Sequence, residues 1–129
     1  MSDRSKGATR VRSVERHFHR HGFRTAIISA SGQRRGARSQ SLALDGDLIA
    51  LAAPEFSYPH FIVEVGGKSK SVRASIREMR QHPLPAGMRC LVVRLIDPSR
   101  KIWRWHLEDG CVYSDLDSLV DDLIASVTA

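Results

Sequence analysis

This sequence has no long hydrophobic run and contains few cysteines. No apolar run approaches the ~20 residues that a helix needs to cross a bilayer. The two cysteines, Cys90 and Cys111, form neither a disulfide framework nor a C-x-x-C metal or redox motif. The start of the chain has no apolar segment typical of a signal peptide. We therefore expect a soluble, cytoplasmic protein with reduced thiols and no membrane partner.

Several catalytic signatures are also missing. The chain has no P-loop, no G-x-S-x-G nucleophile motif and no Cys-His nucleophile pattern. With 129 residues, of which 42% are hydrophobic and 26% charged, it has the composition of one globular domain. Residues 1–8 are polar and without a period, which predicts a disordered basic tail before a single domain over residues 9–129.

The charges are unevenly distributed along the chain. The formal net charge is +6, with ten basic and two acidic residues in the first 40 positions and two basic and six acidic residues after position 100. A basic end of this kind attracts polyanions, so nucleic acid is the leading partner class and an anionic membrane a weaker one. A solvated basic surface without a partner is the alternative.

Hydrophobic periodicity and turn residues predict the elements of the domain. In chain order they are a helix over 9–21, strands over 23–30, 42–52 and 60–65, a helix over 71–81, strands over 88–96 and 101–107, and a helix from about residue 115 with Ser114 as its N-cap. The order α-β-β-β-α-β-β-α predicts an α/β fold with a central mixed sheet of about five strands flanked by helices.

Three carboxylates stand where a purely structural role is unexpected. Glu15 lies within the apolar stripe of the first predicted helix, and Asp47 interrupts the second strand. Glu64 ends the apolar run of the third strand. The alternatives are an ion pair at the edge of the stripe for Glu15, an Asp45-Gly46-Asp47 turn, and a solvated strand end for Glu64.

Taken together, the carboxylates predict a metal site. If the second and third strands are neighbours, Asp47 and Glu64 meet at one sheet edge, where they offer hard oxygen ligands to Mg²⁺ or Mn²⁺. A cation there would offset their repulsion, attract a phosphodiester and acidify a bound water.

These residues resemble a known family. The pattern of a helix with Glu15, Gly22-Phe23 before a strand, Ser31-Gly32 in a loop, Asp47 on a strand and Glu64 on the next is similar to the PD-(D/E)XK nuclease superfamily. Within it, the chain looks like the small archaeal-type Holliday junction resolvases and their phage relatives. The resemblance covers residues 10–96 and implies a restriction-endonuclease-like fold.

The resemblance also implies an activity and its residues. It implies a homodimeric, Mg²⁺-dependent endodeoxyribonuclease of DNA recombination and repair, with Glu15, Asp47 and Glu64 as metal ligands and Ser31 holding the backbone of the DNA. The E-x-K motif places its lysine at position 66, where this chain has Gly66. We expect Lys68 to take that role, provided that the two glycines at 66 and 67 break the strand.

DNA contacts are predicted from the basic residues. They are Arg34, Arg35 and Arg38 in a glycine-containing loop, with Arg12, Arg16, Lys70 and Arg73. Two rival functions stay open, a non-catalytic DNA-binding module of the same fold and a linear-DNA or restriction-type nuclease.

Two further features of the sequence have both a structural and a functional interpretation. His17 and His21 share a helical face and favour a structural zinc site only weakly, because no third ligand stands at a recognisable spacing. The alternating strand with Trp103, Trp105 and Leu107 predicts core or dimer contacts, and the C-terminal helix offers a second dimer surface.

Overall fold

A computed structural model describes residues 3–28, 46–54, 59–66, 71–81 and 83–128. The elements in chain order are α1 (Asp3–Arg20), β1 (Arg24–Ile27), β2 (Leu48–Leu51), β3 (His60–Gly66), α2 (Val72–Met79), β4 (Met88–Asp97), β5 (Ile102–Leu107), β6 (Val112–Tyr113) and α3 (Leu116–Thr128). Within these residues, no helix is both long enough and apolar enough to pass through a membrane.

The described strands form one mixed sheet in the order β1-β2-β3-β4-β5-β6. Neighbouring strands are antiparallel except β3 and β4, which are parallel and connected through α2. A parallel pair needs a long crossover, whereas the antiparallel pairs need only a turn or a loop. The fold is therefore α/β, with α2 as the crossover helix.

One face of the sheet, which we call the closed face, is covered by α1 and α3. Strand residues at alternate positions point into it, such as Leu91 and Val93 of β4 and Trp105 of β5. Val14 and Phe18 of α1 complete this core from above, four residues apart on one helical face. Most of the buried apolar side chains of the described residues belong to this cluster.

On the other face, which we call the open face, the helix that the described residues place is α2. Its smaller core joins Met79 of α2 to Ile62 of β3 and to Cys90 and Val92 of β4. Of the described residues, none from β5 belongs to this cluster. Among the described residues, α2 packs over β3 and β4, and its residues Val72, Arg73 and Ile76 line a cavity with His106 of β5.

The ends of the helices show where local sequence decided the structure. Gly22 has φ of 83° and follows α1, and the Phe23 N–H donates to the Phe18 carbonyl, which confirms the predicted stop. The predicted cap of α3 was wrong by one residue: Asp115, not Ser114, accepts from the backbone N–H of Ser118 at 2.8 Å.

Two elements differ from the prediction in extent. Helix α1 begins at Asp3, within the segment predicted to be a disordered tail, because extending an existing helix requires no new nucleation. The sheet has a sixth strand, β6, which at two residues is too short to show a period. The other described strands and helices confirm the predicted order.

Candidate functional site

Asp47 is hydrogen-bonded to Val63 and Val65, the two residues that flank Glu64. Its backbone N–H donates to the Val63 carbonyl at 2.8 Å, and its carboxylate Oδ2 accepts from the Val65 N–H at 2.8 Å. The Asp47 carbonyl in turn accepts from the N–H of Ile28, which follows β1. Asp47, directly before β2, therefore lies beside β3 at the level of Glu64.

Glycine at position 46 allows this close approach. A Cβ there would lie 3.1 Å from Ile62 Cγ1 and 3.2 Å from the Val63 carbonyl oxygen. Since the second neighbour is backbone, a larger residue would push the start of β2 away from β3. Gly46 thus positions Asp47 against the strand that carries Glu64.

Glu64 projects onto the open face, where α2 contacts it. The hydroxyl of Ser75, a fully buried residue, donates to Glu64 Oε2 at 3.4 Å. Helix α2 is held in place at its start by Ser71, whose side chain accepts from the Ala74 N–H at 3.0 Å. This cap fixes the position of the first turn of α2, and with it the position of Ser75 over β3.

The structure does not bring Glu15 to this pair. The Thr25 hydroxyl donates to Glu15 Oε2 at 2.6 Å, and His19 Nε2 lies 2.8 Å from the same hydroxyl oxygen. Thr25 is opposite Ala50, a member of the core under the closed face. The predicted grouping of all three carboxylates is corrected here, because α1 packs on the face opposite Glu64.

The donor set nevertheless fits a divalent cation. Within the part of the chain that the structure describes, no three or more His, Cys, Asp or Glu side chains group together as a metal site. Asp47 and Glu64 provide two carboxylates, and Mg²⁺ binds through one or two carboxylates while it keeps waters and substrate phosphates. The pair suits a hard cation that is completed by its substrate.

Several predicted residues lie outside the described residues. They are Ser31, Arg34, Arg35, Arg38, Asp45, Lys68 and Lys70. The predictions for the arginine loop and for Lys68 stay predictions.

The other predicted DNA contacts lie on different sides of the sheet. Arg12 and Arg16 are exposed on α1, and Arg73 is exposed on α2. Arg73 lines a cavity of about 400 Å³ together with Val72 and Ile76 and with residues 106–110. These three arginines therefore do not form one surface.

Sequence reasoning missed a basic group on the open face. Arg94 of β4 and Arg104 of β5 are register partners, and His106 is the partner of Val92 two residues away. Burial lowers the pKa of His106, and the charges of Arg94 and Arg104 lower it further. The alternation of Ile102, Arg104 and His106 with buried residues was the signal in the sequence, whereas the pairing with Arg94 requires the register.

The histidines and tryptophans of the sequence analysis have structural partners. His17 packs edge-on against Trp105 with ring centroids 5.5 Å apart, and His21 pairs with Asp117 of α3 at 2.5 Å. Trp103 and Trp105 are buried under the closed face. The two tryptophans are therefore core residues of this chain, and the dimer surface suggested for them is not available.

Comparison with known proteins yields no relative. No family model, curated protein or solved structure matches this chain.

Proposed function

We propose that the protein is a divalent-metal-dependent endodeoxyribonuclease that acts on branched DNA, with the four-way junction as its preferred substrate. One observation carries the proposal: Asp47 is hydrogen-bonded to Val63 and Val65, the two neighbours of Glu64, and this places two acidic residues next to each other in the sheet. The element order through β4 is also the order that the resemblance to PD-(D/E)XK nucleases implies. That resemblance supplies the expected restriction-endonuclease-like fold.

The roles of the residues follow from their contacts. Asp47 and Glu64 would hold Mg²⁺ or Mn²⁺, which when bound acidifies a water and neutralises charge on a phosphodiester. The Val65 N–H fixes one oxygen of Asp47, and the Ser75 hydroxyl orients Glu64. The proposal assigns Glu15 to the support of β1 and not to the cation, since its carboxylate bonds to Thr25 on the closed face.

A two-fold homodimer belongs to the proposal. A four-way junction presents two equivalent strands, and a closed dimer would place two equal sites against them. Because Trp103 and Trp105 are in the core, the remaining candidate surface is the outer side of α3, where Ile124 is 39% exposed.

The test uses purified protein with four-way junction, flap, single-stranded and linear duplex DNA, in Mg²⁺ and in EDTA. We expect Mg²⁺-dependent paired cuts in the junction. Asp47→Asn and Glu64→Gln should each abolish cleavage and retain junction binding, since each removes a metal ligand and a charge that repels phosphate. Asp45→Asn, two residues before Asp47 in the sequence, is the control and should have a smaller effect on cutting. Normal cutting by both site variants would refute the assignment.

A non-catalytic DNA-binding module is the second candidate. It is favoured by Gly66, which ends β3 at the position of the motif lysine. Junction binding without cleavage in Mg²⁺ or Mn²⁺ would support this candidate, and cutting of linear duplex alone would indicate a restriction-type nuclease.

A further inference from the structure

Two arginines oppose each other on the open face. In the antiparallel pair of β4 and β5, Arg94 is the register partner of Arg104, which places their Cα atoms about 4.5–5.5 Å apart. Partners in such a pair project from the same face. Arg94 follows Val92 of the α2 core by two residues, so this is the face that α2 occupies.

The arginine pair lies beside Glu64. Val92 is the parallel register partner of Glu64, and Gly66 is the partner of Arg94. Arg94 is therefore the diagonal neighbour of Glu64, at about 7–8 Å between Cα atoms, a distance that long side chains span. Asp47 and Glu64 are therefore followed across the sheet by Arg94 and then by Arg104.

Like charges directly opposite each other in a sheet are destabilising, and an anion bound to both arginines would offset that cost. Both arginines are partly exposed, and of the described residues none from β5 belongs to the core under α2. His106, whose pKa burial and the two arginines lower, adds an uncharged imidazole beside this pair. Glu64 is the acidic neighbour of Arg94, whereas Glu108 and Asp109 pair with Arg89 at the other end of β4.

We propose that Arg94 and Arg104 form a binding site for a backbone phosphodiester of DNA, next to the phosphate that Asp47 and Glu64 act on. This inference rests on the proposed function and adds to it the path of the DNA strand, which leaves the carboxylates across β4 and β5. Guanidinium groups bind phosphate through two parallel N–H donors each, so two of them can enclose one phosphate. Gly66 leaves room beside Arg94, because a Cβ at position 66 would meet nothing within 4 Å.

The direct test measures binding of a fluorescent four-way junction in EDTA, where no cleavage occurs, over a range of salt. Arg94→Gln and Arg104→Gln should each weaken binding about tenfold and reduce the slope of log K against log salt by about 1. Arg24→Gln, which removes one exposed charge on β1, is the matched control and should change the slope less. Slopes equal to wild type in both folded variants would overturn the proposal.

A lysine at position 66 provides a gain-of-function test. Adding Gly66→Lys to Arg94→Gln restores a positive charge on the same face, in space that is open. We expect binding to return to within about threefold of wild type, since a phosphate contact is worth about one unit of slope. A folded double variant that binds as weakly as Arg94→Gln would place the phosphate elsewhere and overturn the proposal. Arg104→Gln keeps the test informative if Arg94→Gln fails to fold.

The source of the phosphate is distinguished by a parallel titration with inorganic phosphate. We expect tight binding of DNA and weak binding of inorganic phosphate. The affinity for each should be lower in Arg104→Gln. Binding of inorganic phosphate alone would overturn the DNA path. If the variants lose DNA affinity while wild type never cuts DNA, the phosphate site stands and the nuclease function fails. If wild type cuts and the variants bind as wild type does, the function stands and this site fails.

Discussion

The two faces of the sheet differ in what they are made of. The closed face is built from aromatic and aliphatic side chains under two helices, with Phe18 in contact with Phe61 and with Trp105. In the described part of the chain, the open face is covered by the short helix α2 and carries Glu64, Arg94, Arg104 and His106 beside a small apolar core. Most of the buried apolar side chains of the described residues therefore lie on one side of the sheet, and the site that we propose lies on the other. Charged groups near a site are tolerated on the open face because the closed face supplies most of the buried apolar area.

The largest expected effect tests the closed face. Phe18 is fully buried, with ring centroids 5.2 Å from Phe23 and 5.9 Å from Trp105. Phe18→Ala leaves a cavity and should lower the free energy of unfolding by about 3–5 kcal/mol, measured by urea denaturation. Ile27→Ala, at a side chain that is 50% exposed, is the control and should change it by less than about 1 kcal/mol. Equal losses in the two variants would contradict the assignment of stability to the closed face.

A smaller effect is expected at Glu108, whose carboxylate connects the end of α2 to the start of β4. The Glu108 carboxylate accepts from Arg80 at 2.7 Å, from Arg89 at 3.2 Å and from the Cys90 N–H at 3.0 Å. Glu108→Ala leaves these donors without that acceptor and should cost about 2 kcal/mol in a thermal or urea unfolding experiment. Restoration by Asp is not expected, since its side chain is shorter. A loss below about 0.5 kcal/mol would show that the three contacts contribute little.

The cap of α3 gives the next prediction. Asp115 accepts from the Ser118 N–H, and this backbone hydrogen bond is the main reason that the pKa of Asp115 is lowered. Asp115→Ala should cost about 1 kcal/mol at pH 7, and Asp115→Asn less. The stabilisation is present above the unfolded pKa near 3.8 and is lost as the pH falls below it, so wild type and Asp115→Ala should converge in stability at acid pH. A constant difference between them down to pH 2 would contradict the cap.

The smallest effect concerns His106. Its pKa lies below the ordinary 6.5 because of burial and of Arg94 and Arg104. The unfolded chain therefore takes up a proton first, and stability falls as the pH is lowered below about 6.5 until the folded-state pKa is reached. His106→Asn should remove that part of the pH dependence, measured as Tm between pH 5 and 8. If a phosphate binds between the arginines, the pKa of His106 should rise towards 6.5 in an NMR titration with DNA.

Sequence patterns predicted the order of the described elements apart from β6, and they singled out Asp47 and Glu64, which the structure places next to each other. Alternation located β5, apolar runs located β3 and β4, and the interruption at Asp47 singled out a residue that lies against Glu64. These features are local, because one residue and its near neighbours determine them.

The rest of the site depended on register and on the side of the sheet to which each helix packs. Glu15 sits in an apolar stripe, but the stripe alone does not say which face of the sheet α1 covers. Arg94 and Arg104 are ten residues apart in sequence, and only the register of β4 with β5 makes them opposite. Cross-strand pairing follows from turn geometry and the global fold, and neither is encoded in a short window.

The two thiols differ in exposure, and this difference makes local opening of the sheet measurable. Burial and the neighbouring Glu108 raise the pKa of the Cys90 thiol to about 11. Because Cys90 is buried, a maleimide reagent reaches it only when β4 opens. Cys111 is exposed and reacts at once. Mass spectrometry of labelled protein would therefore show one rapid addition followed by a slow second one, whose rate reports how often the parallel β3–β4 centre of the sheet opens under native conditions.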